Sequence, residues 1–375
     1  MAGARSIMLA AGGTGGHLFP AFALAEELKR RDIVVDLMTD MRGDRYGGGF
    51  PARDVYQVPS ATLASRSPGE IAKTMLALAR GTKAAFGILG RVKPAAVIGF
   101  GGYPTYPPLV AARLRGIPTA IHEQNAVLGR ANKLLARQVT AIATSFERTK
   151  FIDDKLTEKV VLTGNPVRQA VMDEAVRPYE APTVDGVIRL LIFGGSQGAR
   201  FFSDTVPLAL FALPDDIRSR LRVVQQAREE DIERVSDAYS EANISAEIAP
   251  FFTDLPARMA AAHLVIGRAG ASTVAELTVM GRPSILVPLP HALDNDQLNN
   301  ARRLAESGGA WCIEQRNLSP ERLADELERL LPVPDALAAA AQAAKTAGRP
   351  DAVRNLADFT LALAEGRKLG TGREH

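Results

Sequence analysis

A single cysteine, Cys312, stands among 375 residues. That scarcity excludes an intrachain disulfide and fits a reducing compartment. Charge of one sign is also scarce: 45 Lys and Arg against 42 Asp and Glu leave only +3. So small an excess predicts no nucleic-acid partner. No leader is expected, because the apolar stretch Ile7 to Ala11 runs straight into glycines and is too short for a signal-peptide core. The uncharged stretch Pro94 to Ala112 has the length of a membrane span. It carries Pro104, Pro107 and Pro108 with Gly99, Gly101 and Gly102, a density no spanning helix tolerates. What is present is an ordinary globular balance, 46% hydrophobic and 23% charged, long enough for two buried cores.

Short apolar runs, glycine-rich turns and helical stretches alternate along the chain. Ser6 to Ala10 leads through Gly12-Gly-Thr-Gly-Gly16 into a helix from His17 to Arg30. Ile33 to Met38, Ala95 to Ile98, Thr119 to His122 and Ala141 to Thr144 continue the strand series. It restarts at Val187 to Phe193, followed by Gly194-Gly-Ser-Gln-Gly198. Leu221 to Gln226, Ile244 to Ile248, His263 to Gly267 and Ser284 to Leu289 then follow. Strands alternating with helices imply parallel sheets. The expected fold is α/β, two doubly wound Rossmann-like domains facing across a cleft. We place the first at 1–168 and the second at 169–345, with a C-terminal helix of about 346–366 packing back on the first.

A glycine cluster between a parallel strand and a helix lets backbone N–H groups approach an anion at the helix N-terminus. Gly12 to Gly16, Gly194 to Gly198 and Gly267 to Thr273 all fit that description. None has Walker spacing or a closing Lys-Ser or Lys-Thr, which argues against ATP hydrolysis. The first also fails the dinucleotide fingerprint, since Leu18 stands where its third glycine belongs. Tight turning alone could explain one such loop, but less readily three at equivalent places. Ligands of open parallel sheets sit beyond the carboxyl ends of the strands, which suits a nucleotide-activated substrate.

Several motifs then occur in one order: Gly12-Gly-Thr-Gly-Gly-His17, Gly101-Gly-Tyr103, His122-Glu-Gln-Asn125 with Gly129 and Asn132, Gly164-Asn-Pro-Val-Arg168, Gly194-Gly-Ser-Gln-Gly-Ala199, and Arg268 to Glu276. Over roughly Ile7 to Ala301 the chain resembles the MurG family of bacterial N-acetylglucosaminyltransferases. The resemblance implies a GT-B fold and inverting transfer of N-acetylglucosamine from UDP-N-acetylglucosamine. The acceptor would be the C4 hydroxyl of the muramyl residue of a lipid-linked muramyl peptide, lipid I, giving lipid II. Carried over by position, the second half holds the donor. Ala271, Ser272 and Thr273 would face the diphosphate, Glu276 the ribose, Ser196 a phosphate and Phe252 the uracil, with Arg168, Arg268 and Gln297 as further contacts. Thr14, Gly15, Gly16 and Asn125 would close on the sugar. Gly102, Tyr103 and Thr105 would lie on the acceptor side, Thr105 standing where the family usually has serine. The resemblance further implies a peripheral enzyme on the cytoplasmic face of the cell membrane, with cell-wall synthesis and division proteins as candidate partners.

Inversion requires a base for the acceptor hydroxyl and neutralisation of the departing diphosphate. His17 sits at a helix N-terminus, which disfavours an imidazolium, and Glu123 is the other named candidate. His17 could instead bond a neighbouring backbone group or an acceptor phosphate. His122 reads as fixing the loop before Asn125, His263 as structural, and His291 as bordering the donor site. Asp294-Asn-Asp296 spells Asp-x-Asp, a pattern by which other sugar transferases hold a metal. A helix N-terminus with hydroxyls and an arginine already supplies positive potential, so we read these aspartates as cap and sugar contacts and expect neither metal nor cofactor.

Ile71 to Val92 is the membrane candidate. Ile71, Met75, Leu78, Phe86 and Leu89 could form an apolar face, with Lys73, Arg80, Lys83, Arg91 and Lys93 adding positive charge. An ordinary crossover helix with a solvated face is the competing reading. Three other functions share the pattern: a GT-B transferase using diacylglycerol, a UDP-N-acetylglucosamine epimerase, and a UDP-sugar-binding scaffold without catalysis.

Overall fold

The computed structural model describes residues 6–12, 15–40, 49–61, 67–195, 200–290 and 294–368. The chain divides into two compact units, Met1–Arg168 with Pro350–His375, and Gln169–Arg349. In the first, β1 (Ser6–Ala10), β2 (Val34–Thr39), β3 (Val55–Gln57), β4 (Ala96–Gly99), β5 (Thr119–Glu123), β6 (Ala141–Thr144) and β7 (Val160–Leu162) form a sheet in the order β3-β2-β1-β4-β5-β6-β7. In the second, β8 (Ile188–Phe193), β9 (Leu221–Gln226), β10 (Ser245–Ala249), β11 (Leu264–Gly267), β12 (Ser284–Leu286) and β13 (Ala310–Cys312) run β10-β9-β8-β11-β12-β13. Every pairing in both sheets is parallel. Each unit is the expected doubly wound Rossmann-like plan, with its strand order reversing once, at β1/β4 and at β8/β11.

Side-chain alternation explains why both faces of the first sheet are covered. Ile7 and Leu9 enter one core with Leu24, Leu28, Leu356 and Phe359, whereas Met8 and Ala10 enter another with Leu89, Leu109 and Ile121. The C-terminal helix Ala352–Ala364 therefore packs on the same face as the helix Gly15–Arg30, and an Arg31–Asp358 ion pair of 2.5 Å joins them. In the second unit Leu190, Ile192, Leu221 and Val223 pack with Val206, Leu210 and Leu327.

Three strands were absent from the sequence reading: β3, β7 and β13. All are three residues long and lie at sheet edges, too short to express a period of two. The strand expected to reach Leu289 stops at Leu286. Pro288 has no N–H for a ladder, and the carbonyls of Val287 and Pro288 accept from Arg268 instead.

The helix Pro68–Val92 starts at Ser67, whose hydroxyl accepts from Glu70 N at 3.4 Å, and ends at Lys93 in the left-handed region. Its expected apolar face needs correcting. Leu89 is fully buried and Leu78 half-buried, because this flank packs toward the sheet. The exposed apolar residues are Ile71, Met75, Leu76 and Phe86, with exposed Lys73, Arg80, Lys83, Arg91 and Lys93 on the same helix and its cap. No helix among the described residues is long and apolar enough to cross a membrane.

Candidate active site

Glycines cluster where each strand order reverses. In the first unit Gly12 follows β1, and Gly99, Gly101 and Gly102 end β4. Gly101 and Gly102 have φ of +89° and +72°, conformations costly for any other residue. They also leave room for an imidazole. A Cβ built at Gly101 would lie 3.1 Å from His17 Cε1, and one at Gly102 would lie 3.3 Å from His17 Cδ2. His17, in the first turn of the helix Gly15–Arg30, is thus laid along this glycine backbone, with Gly15 and Gly16 opening the helix before it. Thr14 lies outside the described residues.

The segment after β5 supplies the polar partners. Gln124 Oε1 lies 3.2 Å from His17 Nδ1. Glu123 is 1% exposed, and its carboxylate accepts from Asn125 N at 3.0 Å, Asn125 Nδ2 at 3.2 Å, Gly129 N at 2.8 Å and Asn132 Nδ2 at 2.8 Å. Four donors on two oxygens occupy the lone pairs a base would use. Glu123 is thereby a brace that folds residues 125–132 back over the strand end. Asn125, on the braced turn, keeps a half-exposed side chain. His122 is fully buried, and burial pushes its pKa down to about 4.

Thr105 calls for a correction. It was expected beside the acceptor, yet it is 0% exposed and its hydroxyl donates to Gly101 O at 2.5 Å and faces Ala10 O at 3.4 Å. It pins the glycine turn. Tyr103 opens the same 3-10 turn and is half-buried, as is Gly102 before it. Arg168 lays its guanidinium over Phe19, 5.0 Å from the ring centroid, and Phe19 lies two residues beyond His17.

In the second unit the helix Ala271–Met280 begins at Gly270 with no side-chain cap bond. Its first N–H groups are therefore available to an anion. Ser272 Oγ is buried there without a hydrogen-bond partner, a donor in want of an acceptor. Thr273 is half-buried beside it, and Glu276 is buried one turn further. Arg268 was expected to touch the donor. Its terminal nitrogens donate to Val287 O at 3.0 Å, Pro288 O at 3.2 Å and Gln315 Oε1 at 2.7 Å and so tie it to the strand end, while its Nε is buried without a partner among the described residues. Burial lowers its pKa to about 10. It has no carboxylate partner among the described residues, so its charge still adds positive potential.

Other donor-side residues hold the strand ends together. Asn300 Nδ2 donates to Ala269 O at 3.1 Å, and Gln297 Oε1 accepts from Leu289 N at 3.0 Å. Asn295 is in the left-handed region at φ 51°, and Asp296 Oδ1 accepts from Gln297 N at 2.8 Å. Among the described residues no three His, Cys, Asp or Glu side chains are grouped to hold a metal. Phe252 follows β10 and lies under Arg258, 4.3 Å from its ring centroid. Gln226, which the sequence reading missed, links Gly194 N at 3.0 Å to Pro250 O at 3.1 Å and so ties the first glycine turn of this unit to the Phe252 loop. Its only signal was a polar residue ending an apolar strand. Ser196 and His291 lie outside the described residues.

Two parallel-sheet Rossmann-like units, the second with an uncapped helix start open to an anion, have the plan of the GT-B class of sugar-nucleotide enzymes. The profile of the glycosyltransferase family 28 N-terminal domain matches residues 7–144, and that of its C-terminal domain matches 189–356. The UDP-N-acetylglucosamine--N-acetylmuramyl-(pentapeptide) pyrophosphoryl-undecaprenol N-acetylglucosamine transferase of Chelativorans sp. is 56% identical over 98% of both chains. The enzyme of the same name from Sinorhizobium fredii is 54% identical, again over 98% of both. The crystal structure of Acinetobacter baumannii MurG superposes with a TM-score of 0.78 at 30% identity, covering 95% of this chain and 99% of that one. The chain belongs to glycosyltransferase family 28 and, within it, to the MurG family.

Proposed function

We propose that the protein transfers N-acetylglucosamine from UDP-N-acetylglucosamine to the C4 hydroxyl of the muramyl residue of lipid I, forming lipid II with inversion. The observation that carries this is identity above one half, end to end, with relatives named for that reaction. In this reading His17 Nε2 takes the hydroxyl proton as the acceptor oxygen attacks the anomeric carbon. The bond from that carbon to the diphosphate breaks, and UDP leaves as an anion. The N-terminus of the helix Ala271–Met280, the Ser272 and Thr273 hydroxyls and the Arg268 charge stabilise it. Glu276 receives the ribose hydroxyls, the Phe252 loop the uracil, and Gln297 with Asn125 the sugar; Tyr103 and Gly102 border the acceptor. The diphosphate is held without a metal.

The enzyme works as a peripheral protein on the cytoplasmic face of the cell membrane and serves peptidoglycan synthesis, and through it cell shape and division. The support is Met75, 66% exposed, with Ile71, Leu76 and Phe86 on a helix that carries four cations and a fifth, Lys93, at its cap. Such cations contribute about 1 kcal/mol each at an anionic surface.

The deciding assay combines UDP-N-acetylglucosamine with a short-chain lipid I analogue in excess EDTA, following UDP and disaccharide. Turnover under chelation is expected. Rescue by magnesium alone would overturn the metal-free diphosphate site, and donor binding without turnover in either condition would favour the diacylglycerol or scaffold alternative. Reversing the charges of Lys83 and Arg91 should weaken binding to anionic vesicles, and unchanged binding would remove this helix as the contact.

A further inference from the structure

His122 and Gln124 stand next to the site, yet the mechanism above gives neither a task. Their hydrogen bonds have a direction that can be worked out atom by atom. His122 Nε2 lies 2.9 Å from Gly164 O. A carbonyl only accepts, so this nitrogen carries the proton. Burial keeps the His122 ring neutral, with its pKa near 4. His122 Nδ1 is therefore a lone pair and must accept. Gln124 Nε2 is 3.0 Å from that nitrogen and 3.0 Å from His122 O. Both amide hydrogens have acceptors in this orientation, and flipping the amide would turn its oxygen toward two acceptors at once. Gln124 Oε1 is consequently the atom presented to His17 Nδ1 at 3.2 Å. It accepts, so His17 Nδ1 carries the hydrogen of the neutral ring, and the lone pair falls on Nε2. That nitrogen lies 3.5 Å from where a Cβ at Gly102 would stand, so the glycine keeps its approach open.

We propose that Gln124 and His122 are positioning residues that fix the tautomer of His17, passing a set proton position from the Gly164 carbonyl to the ring and leaving Nε2 as its basic atom. The inference rests on the reading of His17 as the base. The relay differs from a histidine backed by a carboxylate. A neutral amide orients the ring without placing a second negative charge beside the site, where an anionic donor must bind. Holding the lone pair on Nε2 before the acceptor arrives removes a tautomer exchange from the route to the transition state.

The test is long-range 1H–15N NMR of the full chain labelled at histidine, with the His17 signals assigned by their loss in His17→Asn. The expected pattern is protonated Nδ1 and bare Nε2 for His17, and the reverse for His122. In Gln124→Leu, His122 keeps its tautomer through Gly164, His17 shifts toward protonated Nε2, and kcat falls about 10- to 100-fold, within what general-base catalysis contributes, with donor KM unchanged. Gln124→Met keeps the length of the side chain and removes both amide groups, so it should shift the His17 tautomer and lower kcat as leucine does, and this variant serves if the leucine fails to fold. Protonated Nε2 on His17 in the unmodified protein, or Gln124→Leu with tautomer and kcat both unchanged, would overturn the relay. Full turnover by His17→Asn with the proton positions as stated would instead remove the base assignment and leave the hydrogen-bond relay standing.

Discussion

The two units share one strand order, to which the first adds β7 at its edge, and place glycines where it reverses, yet they complete those places differently. In the first, bonded side chains surround His17, which lies along Gly101 and Gly102: Glu123 carries four N–H donors and Thr105 pins the turn, although Thr39 Oγ1, Thr144 Oγ1 and the Asn165 amide elsewhere in the unit are buried without a partner among the described residues. In the second, a helix begins uncapped, a serine hydroxyl is buried without a partner, and an arginine has no carboxylate among the described residues. Proton transfer needs a fixed lone pair, which a network of bonds supplies. Binding a diphosphate needs donors left unsatisfied, which a network would remove. In the proposed reading the same topology carries the base in one unit and the anion site in the other.

The comparison would break first at His17. His17→Ala should lower kcat by about 10²–10⁴-fold with little change in melting temperature, because the ring sits in space left by glycines. Glu123→Gln should do the reverse and destabilise the first unit, since an amide cannot accept from four donors. Steady-state kinetics beside thermal unfolding separates the two. A Glu123 variant that folds normally but loses turnover would return that carboxylate to the list of bases.

Acid should expose a property the units share. His122 in the first and His263 in the second are both held near pKa 4 by burial, against 6.5 for a free imidazole. A depressed histidine pKa means that the unfolded chain takes up protons the native state refuses. Stability is thus full above pH 6.5 and declines as pH falls toward 4. At about 1.4 kcal/mol per pKa unit, His122 alone accounts for about 3 kcal/mol across that window. Urea midpoints measured from pH 7 down to 4.5 should fall accordingly, and a flat profile would mean that these rings are not buried neutral.

How much of this was legible follows a physical line. Glycine turns, long strands and helix starts write themselves into consecutive residues, so both doubly wound sheets could be read. Edge strands of three residues could not, because they exist through pairing alone. At the site, residue types were legible but not their partners. Arg268 and Thr105 read as ligand contacts through their positions in the family pattern. The terminal nitrogens of Arg268 donate to Val287, Pro288 and Gln315, and the Thr105 hydroxyl donates to Gly101. Those bonds depend on where distant chain segments return. Gln124 and Gln226 were passed over for the same reason.

Ser272 sharpens the contrast at intermediate scale. Its hydroxyl has no partner in the free protein, so Ser272→Ala removes an unsatisfied buried group and should leave stability unchanged or slightly higher. A hydrogen bond to a charged phosphate contributes about 1.5–3 kcal/mol, so calorimetry should show UDP binding about 10-fold weaker or more. Loss of stability without loss of affinity would place the hydroxyl in the fold rather than in the site.

The smallest effect belongs to Thr105, and it tests the assignment of rigidity to the first unit. Thr105→Val keeps the shape and deletes the hydroxyl that donates to Gly101 O. The carbonyl loses one bond in a buried place, a cost of about 1 kcal/mol. Because the side chain is fully buried, the acceptor's KM should stay within about twofold, and a modest loss of kcat would follow only if the turn beneath His17 loosens. A large rise in acceptor KM with an unchanged melting temperature would mean that the hydroxyl reaches substrate after all. The first unit would then leave a donor open to its ligand as the second does, and the division between the two would narrow to His17 and its partners.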